Sequence, residues 1–123
     1  MNQIITITID GQDFSARLND SAAARELIEA LPLTVAMSRW GDEYYGGCTL
    51  NIENMDAARE IMEVGEIAYW PPGSALCLFF GATPASTDER PRAASPVVPL
   101  GRITSETEPL KAFGSIIRAE LKV

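Results

Sequence analysis

EIAYWPPGSALCLFFG, residues 66–81, reads as two strands joined by a tight turn, and the second strand is the segment whose pattern narrows the fold. Glu66 to Trp70 and Ala75 to Phe80 flank Pro71-Pro72-Gly73-Ser74, a turn in which proline fixes φ and the glycine is expected to take any positive φ. Ala75 to Phe80 is apolar at every position and does not alternate. Such a strand needs cover on both faces, as in a barrel wall packed by side chains within and by a helix or loop outside.

Toward the N-terminus the alternation is clean. Ile5, Ile7 and Ile9 alternate with polar residues, Asp10-Gly11 supplies a turn, and Phe14, Ala16 and Leu18 resume the pattern. A two-residue type I′ turn there pairs Ile7 with Phe14 and Ile5 with Ala16, which places both apolar sets on one face. A short helix is expected next. Asp20 or Ser21 is its N-cap, Ala24, Leu27, Ile28 and Leu31 form its apolar stripe, Arg25 and Glu29 pair, and Pro32 ends it. The stripe suits a plug over one barrel mouth. Leu33, Val35 and Met37 alternate again, and RWGDEYYGG, residues 39–47, fits either a turn or a bulged, irregular hairpin. Residues 55–64 carry helix formers, yet Ile61, Met62 and Val64 before Gly65 fit a strand end equally well.

Toward the C-terminus, residues 81–99 hold half of the chain's 8 prolines and show no periodicity, so an ordered crossing segment packed through its small residues is expected. Gly101-Arg102-Ile103 reads as a short strand. Ser105 and Glu108 have the spacing of a capping box before one helical turn ending at Gly114. Ile117, Ala119, Leu121 and Val123 then alternate with polar residues as a half-buried strand. No repeat, low-complexity tract or linker divides the chain, so a single domain over residues 1–123 is expected. The pattern is mainly β and fits either a sandwich or a closed barrel.

Composition removes several chemistries. The 123 residues support one core, and a net charge of −7 with scattered basic residues disfavours nucleic acid and anionic membrane as partners. The chain has no histidine, which removes Ser-His and Cys-His nucleophiles, imidazole metal ligands and the usual proton shuttle near neutral pH. No resident metal or cofactor is expected. The N-terminal MNQIITITID lacks the features of a secretory signal, and no apolar run approaches the ~20 residues of a membrane span. Cys48 and Cys77 lie far apart in sequence, and Cys77 sits in an apolar run as a buried hydrophobe, so free thiols and a cytoplasmic location are expected.

The 66–81 segment, with Thr83-Pro84, RAASP at 92–96, GRI at 101–103 and RWGDEYY at 39–45, resembles a family of small bacterial and archaeal cyclophilin-like proteins over nearly the whole chain. The resemblance implies a closed β-barrel of about eight strands with one or two short helices at its ends. It implies little about activity. True prolyl isomerases share a phenylalanine-histidine-arginine segment and a later phenylalanine, methionine and glutamine run; neither occurs here, so no catalytic residue is carried over. By position only, and not by motif, the resemblance offers Arg39 as the residue to stand where the isomerase arginine stands.

A prolyl isomerase needs an apolar pocket and a donor aimed at the amide nitrogen, which Arg39 has the chemistry to supply. The plainer expectation for Arg39 is a surface ion pair with Asp42 or Glu43. Asp42, Glu43 and Asp88-Glu89 are expected as solvated loop charge, since no spacing enforces a cation site or an acid–base pair. Tyr44, Tyr45, Tyr69 and Trp70 suit a groove wall or barrel packing, and Gly46-Gly47 lacks the lysine and helix start of a phosphate loop. The ligand-binding candidates are Arg39, Trp40, Glu43, Tyr45, Trp70, Phe80 and Arg92. The leading expectation is a non-enzymatic module that binds a small molecule or a proline-containing peptide in an outer groove between residues 39–45 and 81–99. The alternatives are a weak or specialised peptidyl-prolyl cis-trans isomerase using Arg39, and an interaction subunit of an oligomer or complex. A monomer or homodimer is expected.

Overall fold

A computed structural model describes residues 3–123; Met1 and Asn2 of the expected domain lie outside the described residues. The first hairpin has the register that its alternation dictates. Strand β1 (Gln3–Ile9) pairs with β2 (Gln12–Leu18), Ile7 opposite Phe14 and Ile5 opposite Ala16. Asp10 and Gly11 both take positive φ, 51° and 78°, which is the backbone of a mirror-image turn matched to strand twist.

Helix α1 (Ala22–Ala30) starts where Ser21 accepts a hydrogen bond from the Ala24 amide at 3.0 Å, so the cap falls to Ser21 and not Asp20. Arg25 turns back to donate to the Asp20 carbonyl at 3.1 Å in place of the expected pairing with Glu29. Ala23, Ala24 and Leu27 are buried in the same core as the barrel interior, as a plug requires. Ser21→Ala is expected to lower stability by about 1 kcal/mol through loss of this cap, read as a lower urea midpoint at unchanged slope.

Six further strands complete a wall: β3 (Leu33–Arg39), β4 (Glu43–Gly47), β6 (Glu66–Trp70), β7 (Ala75–Phe79), β8 (Arg92–Ile103) and β9 (Ile116–Lys122), with the short β5 (Arg59–Ile61) lying outside it on β8. The order around the wall is β2-β1-β9-β3-β4-β7-β6-β8, every pairing antiparallel. Pairing of Ala16 with Ile103 and of Leu18 with Gly101 brings β8 back to β2 and closes an eight-stranded barrel, which removes the sandwich alternative. Its interior is filled from every side by Ile5, Ile7, Phe14, Leu18, Met37, Tyr44, Tyr69, Leu78, Leu100 and Leu121, among others. The far mouth holds a 3-10 turn, Glu108–Ala112, with Leu110 buried and Phe113 edge-on to Phe14 at 6.2 Å.

The doubly apolar strand β7 is buried at all five positions for the expected reason. Leu76, Leu78 and the following Phe80 enter the barrel core. Cys77 and Phe79 face outward into a second, smaller core made with Met62, Ala68, Ala93 and Val97. That outer core exists because β5 and the first half of β8 fold over the outside of β6 and β7.

The segments left open resolve, and several local expectations are corrected. Residues 39–47 form a hairpin between β3 and β4, closed by reciprocal bonds between Trp40 and Glu43. Residues 55–64 resolve into a turn at Met55–Ala58 and the strand β5, with no helix. In the PPGS turn the left-handed residue is Ser74, φ 45°; Gly73 is required instead because a Cβ there would stand 2.8 Å from the Trp70 ring. Residues 92–99 are strand and not crossing loop, and β8 absorbs Pro96 and Pro99 at irregularities: Pro96 lies within a register shift against β5, and Pro99 opposite Ala68 borders a second shift against β6. Ser105 caps no helix; its hydroxyl accepts from the Ser15 amide, while Thr107 precedes the 3-10 turn. Cys48 and Cys77 are both free. Among the described residues no helix is long and apolar enough to cross a membrane.

Candidate functional site

Along β4 the alternation sends Tyr44 into the barrel and turns Glu43 and Tyr45 outward. Beside them on β7 the outer core begins, so the outer face of β4 borders a step where the covering layer stops. At that step lies a pocket of about 260 Å³ lined by Trp40, Glu43, Tyr45, Trp70, Ala93, Ala94 and Val97. The hairpin 39–45 supplies one wall, β8 the other, and the end of β6 contributes Trp70. Trp70 is fixed by an indole N–H bond to Ser95 Oγ at 2.7 Å, which ties β6 to the strand across the pocket.

Glu43 is the chemical centre of this pocket. It is only 5% exposed, and its Oε1 is buried with no hydrogen-bond partner among the described residues. Desolvation raises its pKa from 4.5 to about 7, partly opposed by a hydrogen bond with the Cys77 side chain. Cys77 itself is pushed well above the usual thiol range, first by burial and then by the neighbouring Glu43 charge, so it is an inert neighbour and not a nucleophile. The expectation that Glu43 is solvated loop charge is therefore corrected. A carboxyl group in an aromatic-lined recess, half-ionised near neutral pH, is able to accept a hydrogen bond from a ligand and to carry a negative charge against it.

Of the sequence candidates, Trp40, Glu43, Tyr45 and Trp70 meet in this one pocket. Arg39, Phe80 and Arg92 do not line it. Arg39 sits at the far barrel mouth, where Nε donates to the Gly41 carbonyl at 2.8 Å and Nη1 to the carbonyls of Lys111 and Phe113. Its remaining nitrogen pairs with Asp42 at 2.9 Å, the ion pair expected from sequence. The guanidinium also lies over the Phe80 and Tyr44 rings, 5.1 and 5.9 Å from their centroids. Phe80 is buried and stacked on Tyr44 inside the barrel. Arg92 is held by Glu60 at 2.9 Å. Asp88 pairs with Arg90 as exposed loop charge, while Tyr44 and Tyr69 belong to the core.

Ala93, Ala94 and Val97 are the lining residues that sequence reasoning missed, because the proline-bearing stretch hid a strand. Among the described residues no cluster of three or more acidic or cysteine side chains is gathered to hold a metal ion.

Comparison with known proteins agrees with this architecture. A family model described as Cyclophilin-like matches residues 3–121. The solution structure of a hypothetical protein from Archaeoglobus fulgidus is similar, with a TM-score of 0.82 and 32% sequence identity over 98% of this chain and 94% of that one. No curated protein matches the chain.

Proposed function

The chain belongs to the cyclophilin-like family, and from that premise we propose that it is a binding module whose ligand occupies the outer pocket between the 39–45 hairpin and β8. The observation that supports this reading is the pocket's own composition. Trp40, Tyr45 and Trp70 line a recess whose one ionisable acid, Glu43, is buried with an unmatched oxygen. Aromatic walls with a single placed polar group are the ordinary make-up of a small-ligand site. An unpaired buried acceptor costs roughly 1–3 kcal/mol, which a ligand donor recovers on binding. A recess of about 260 Å³ suits a small molecule or one peptide side chain with its flanks. Isomerase chemistry draws no support from Arg39, whose donors are turned to carbonyls and to Asp42 at the barrel mouth.

The chain's two tryptophans, Trp40 and Trp70, both line this pocket, so intrinsic emission reports on its occupancy. Screening a metabolite set and proline-containing peptides should yield a ligand that raises the melting temperature and shifts that emission together. Ala94→Phe, at an exposed position on the pocket wall, should abolish both effects without unfolding the protein. A response that is flat across both sets, with no ligand density at the groove in crystals of cell-purified protein, would overturn the reading.

A further inference from the structure

Resting on that reading, we infer that the group this pocket recognises is an organic ammonium with a small hydrocarbon body, its N–H donated to the Glu43 carboxyl group and its charge facing Trp40, Tyr45 and Trp70. Two glutamates are buried, Glu43 and Glu66. At Glu66 the fold supplies a complete set of partners: Arg59 donates from two nitrogens at 2.9 and 2.6 Å, and the Glu63 amide donates at 2.8 Å. At Glu43 Oε1 the fold supplies none, although two arginines stand in neighbouring segments, because Arg39 is committed to Asp42 and Arg92 to Glu60. The missing element at Glu43 is a cationic donor, since the carboxyl group meets only the Cys77 thiol and the arginines nearby are directed elsewhere.

The surroundings select which donor. A neutral hydroxyl or amide also makes a charge-assisted bond to a carboxylate but leaves the buried charge uncompensated. A cation compensates that charge and gains an added attraction wherever it lies over an aromatic face. A hydrated inorganic cation is disfavoured, since calcium and magnesium call for about six oxygen ligands and the pocket's acidic lining is Glu43 alone. An alkyl or cycloalkyl ammonium fits both halves of the wall. Its hydrocarbon contacts Ala93, Ala94 and Val97, and its nitrogen meets the acid. The chain's net charge of −7 further draws cations toward it.

The test compares two probes of one shape, cyclohexylamine and cyclohexanol, by calorimetry and tryptophan emission at pH 7.5 with millimolar ligand. The amine should bind at least about tenfold more tightly than the alcohol. Glu43→Gln should reduce that preference to within about threefold while leaving the alcohol's affinity in place, because the amide keeps shape and loses charge. The wild-type ratio of amine to alcohol decides the matter even if Glu43→Gln does not fold. Equal binding of the two probes by the wild type, both lost in Ala94→Phe, overturns the ammonium class and leaves the pocket as a ligand site. Failure of both probes overturns the ammonium inference, and the ligand screen described above then tells whether the pocket reading falls with it.

Discussion

Gly101→Ala is expected to lower the unfolding free energy by roughly 3 kcal/mol, while Gly114→Ala changes it by less than about 0.5 kcal/mol. Gly101 faces Leu18 across the pairing that closes the barrel. A Cβ at that position would stand 2.3 Å from the Arg17 carbonyl oxygen and 2.7 Å from the Leu18 Cα. Both are backbone atoms, so no rotamer change relieves the clash, and the seam between β2 and β8 has to part. Parting it exposes strand edges and loosens Leu18 and Leu100, which are completely buried on either side. Gly114 has nothing within 4 Å of the same added atom and no positive φ, so it controls for the generic effect of replacing glycine. Urea unfolding of both variants, read at unchanged slope, decides the matter. A Gly101→Ala protein as stable as the Gly114→Ala protein would mean that β2 and β8 do not close the wall.

That closure was only half legible in the sequence, and the reason is local. Alternation fixes a hairpin's register because a slip of one residue would turn Ile5, Ile7, Phe14 and Ala16 to solvent, so the pairing of β1 with β2 follows from pattern alone. The unbroken apolar run of β7 likewise implies its two covers. What supplies the outer cover was hidden by Pro96 and Pro99. Proline lacks an N–H and ordinarily argues against an inner strand, and here both fall beside register shifts. The strand that carries them pairs in turn with β5, β6 and β2, and such long-range pairing leaves no periodic trace.

The site was legible as a set of residue types and not as an environment. Trp40, Tyr45 and Trp70 are aromatic, and groove-forming chemistry is visible in them directly. Glu43 follows Gly41-Asp42 and looks like turn charge, yet it is the first residue of β4 and faces outward beside β7. The available signal was indirect: if both faces of β7 are covered, the outer face of its neighbour lies at the edge of that cover. Arg39 and Phe80 failed as pocket residues for the converse reason, since Phe80 turns into the barrel core and Arg39 lies over its ring, away from the outer face.

Burial of Glu43 also dictates how stability responds to pH. Its folded pKa of about 7 lies above the ordinary value of 4.5, so between those limits the folded state holds a proton that the unfolded chain has released. Stability contributed by the protonated form is complete below pH ~4.5, falls as pH rises, and is fully lost above about 7. At about 1.4 kcal/mol per pH unit the whole shift corresponds to roughly 3 kcal/mol, most of it lost between pH 5 and 8. With no histidine in the chain, no other side chain has its ordinary pKa between 5 and 8, so most of the slope belongs to Glu43. The wild type should therefore show a higher urea midpoint at pH 5 than at pH 8, and Glu43→Gln should flatten the difference, which also subtracts any part from the terminal amine. A wild-type midpoint that is level across the window, or a slope that survives in Glu43→Gln, would show that the carboxyl ionises freely and is not held in a desolvated recess. A group that costs stability at neutral pH persists where something else recovers the cost. For Glu43 the recess opens on the outer pocket, so under the proposed function a cation bound there should reduce the pH slope as its occupancy rises.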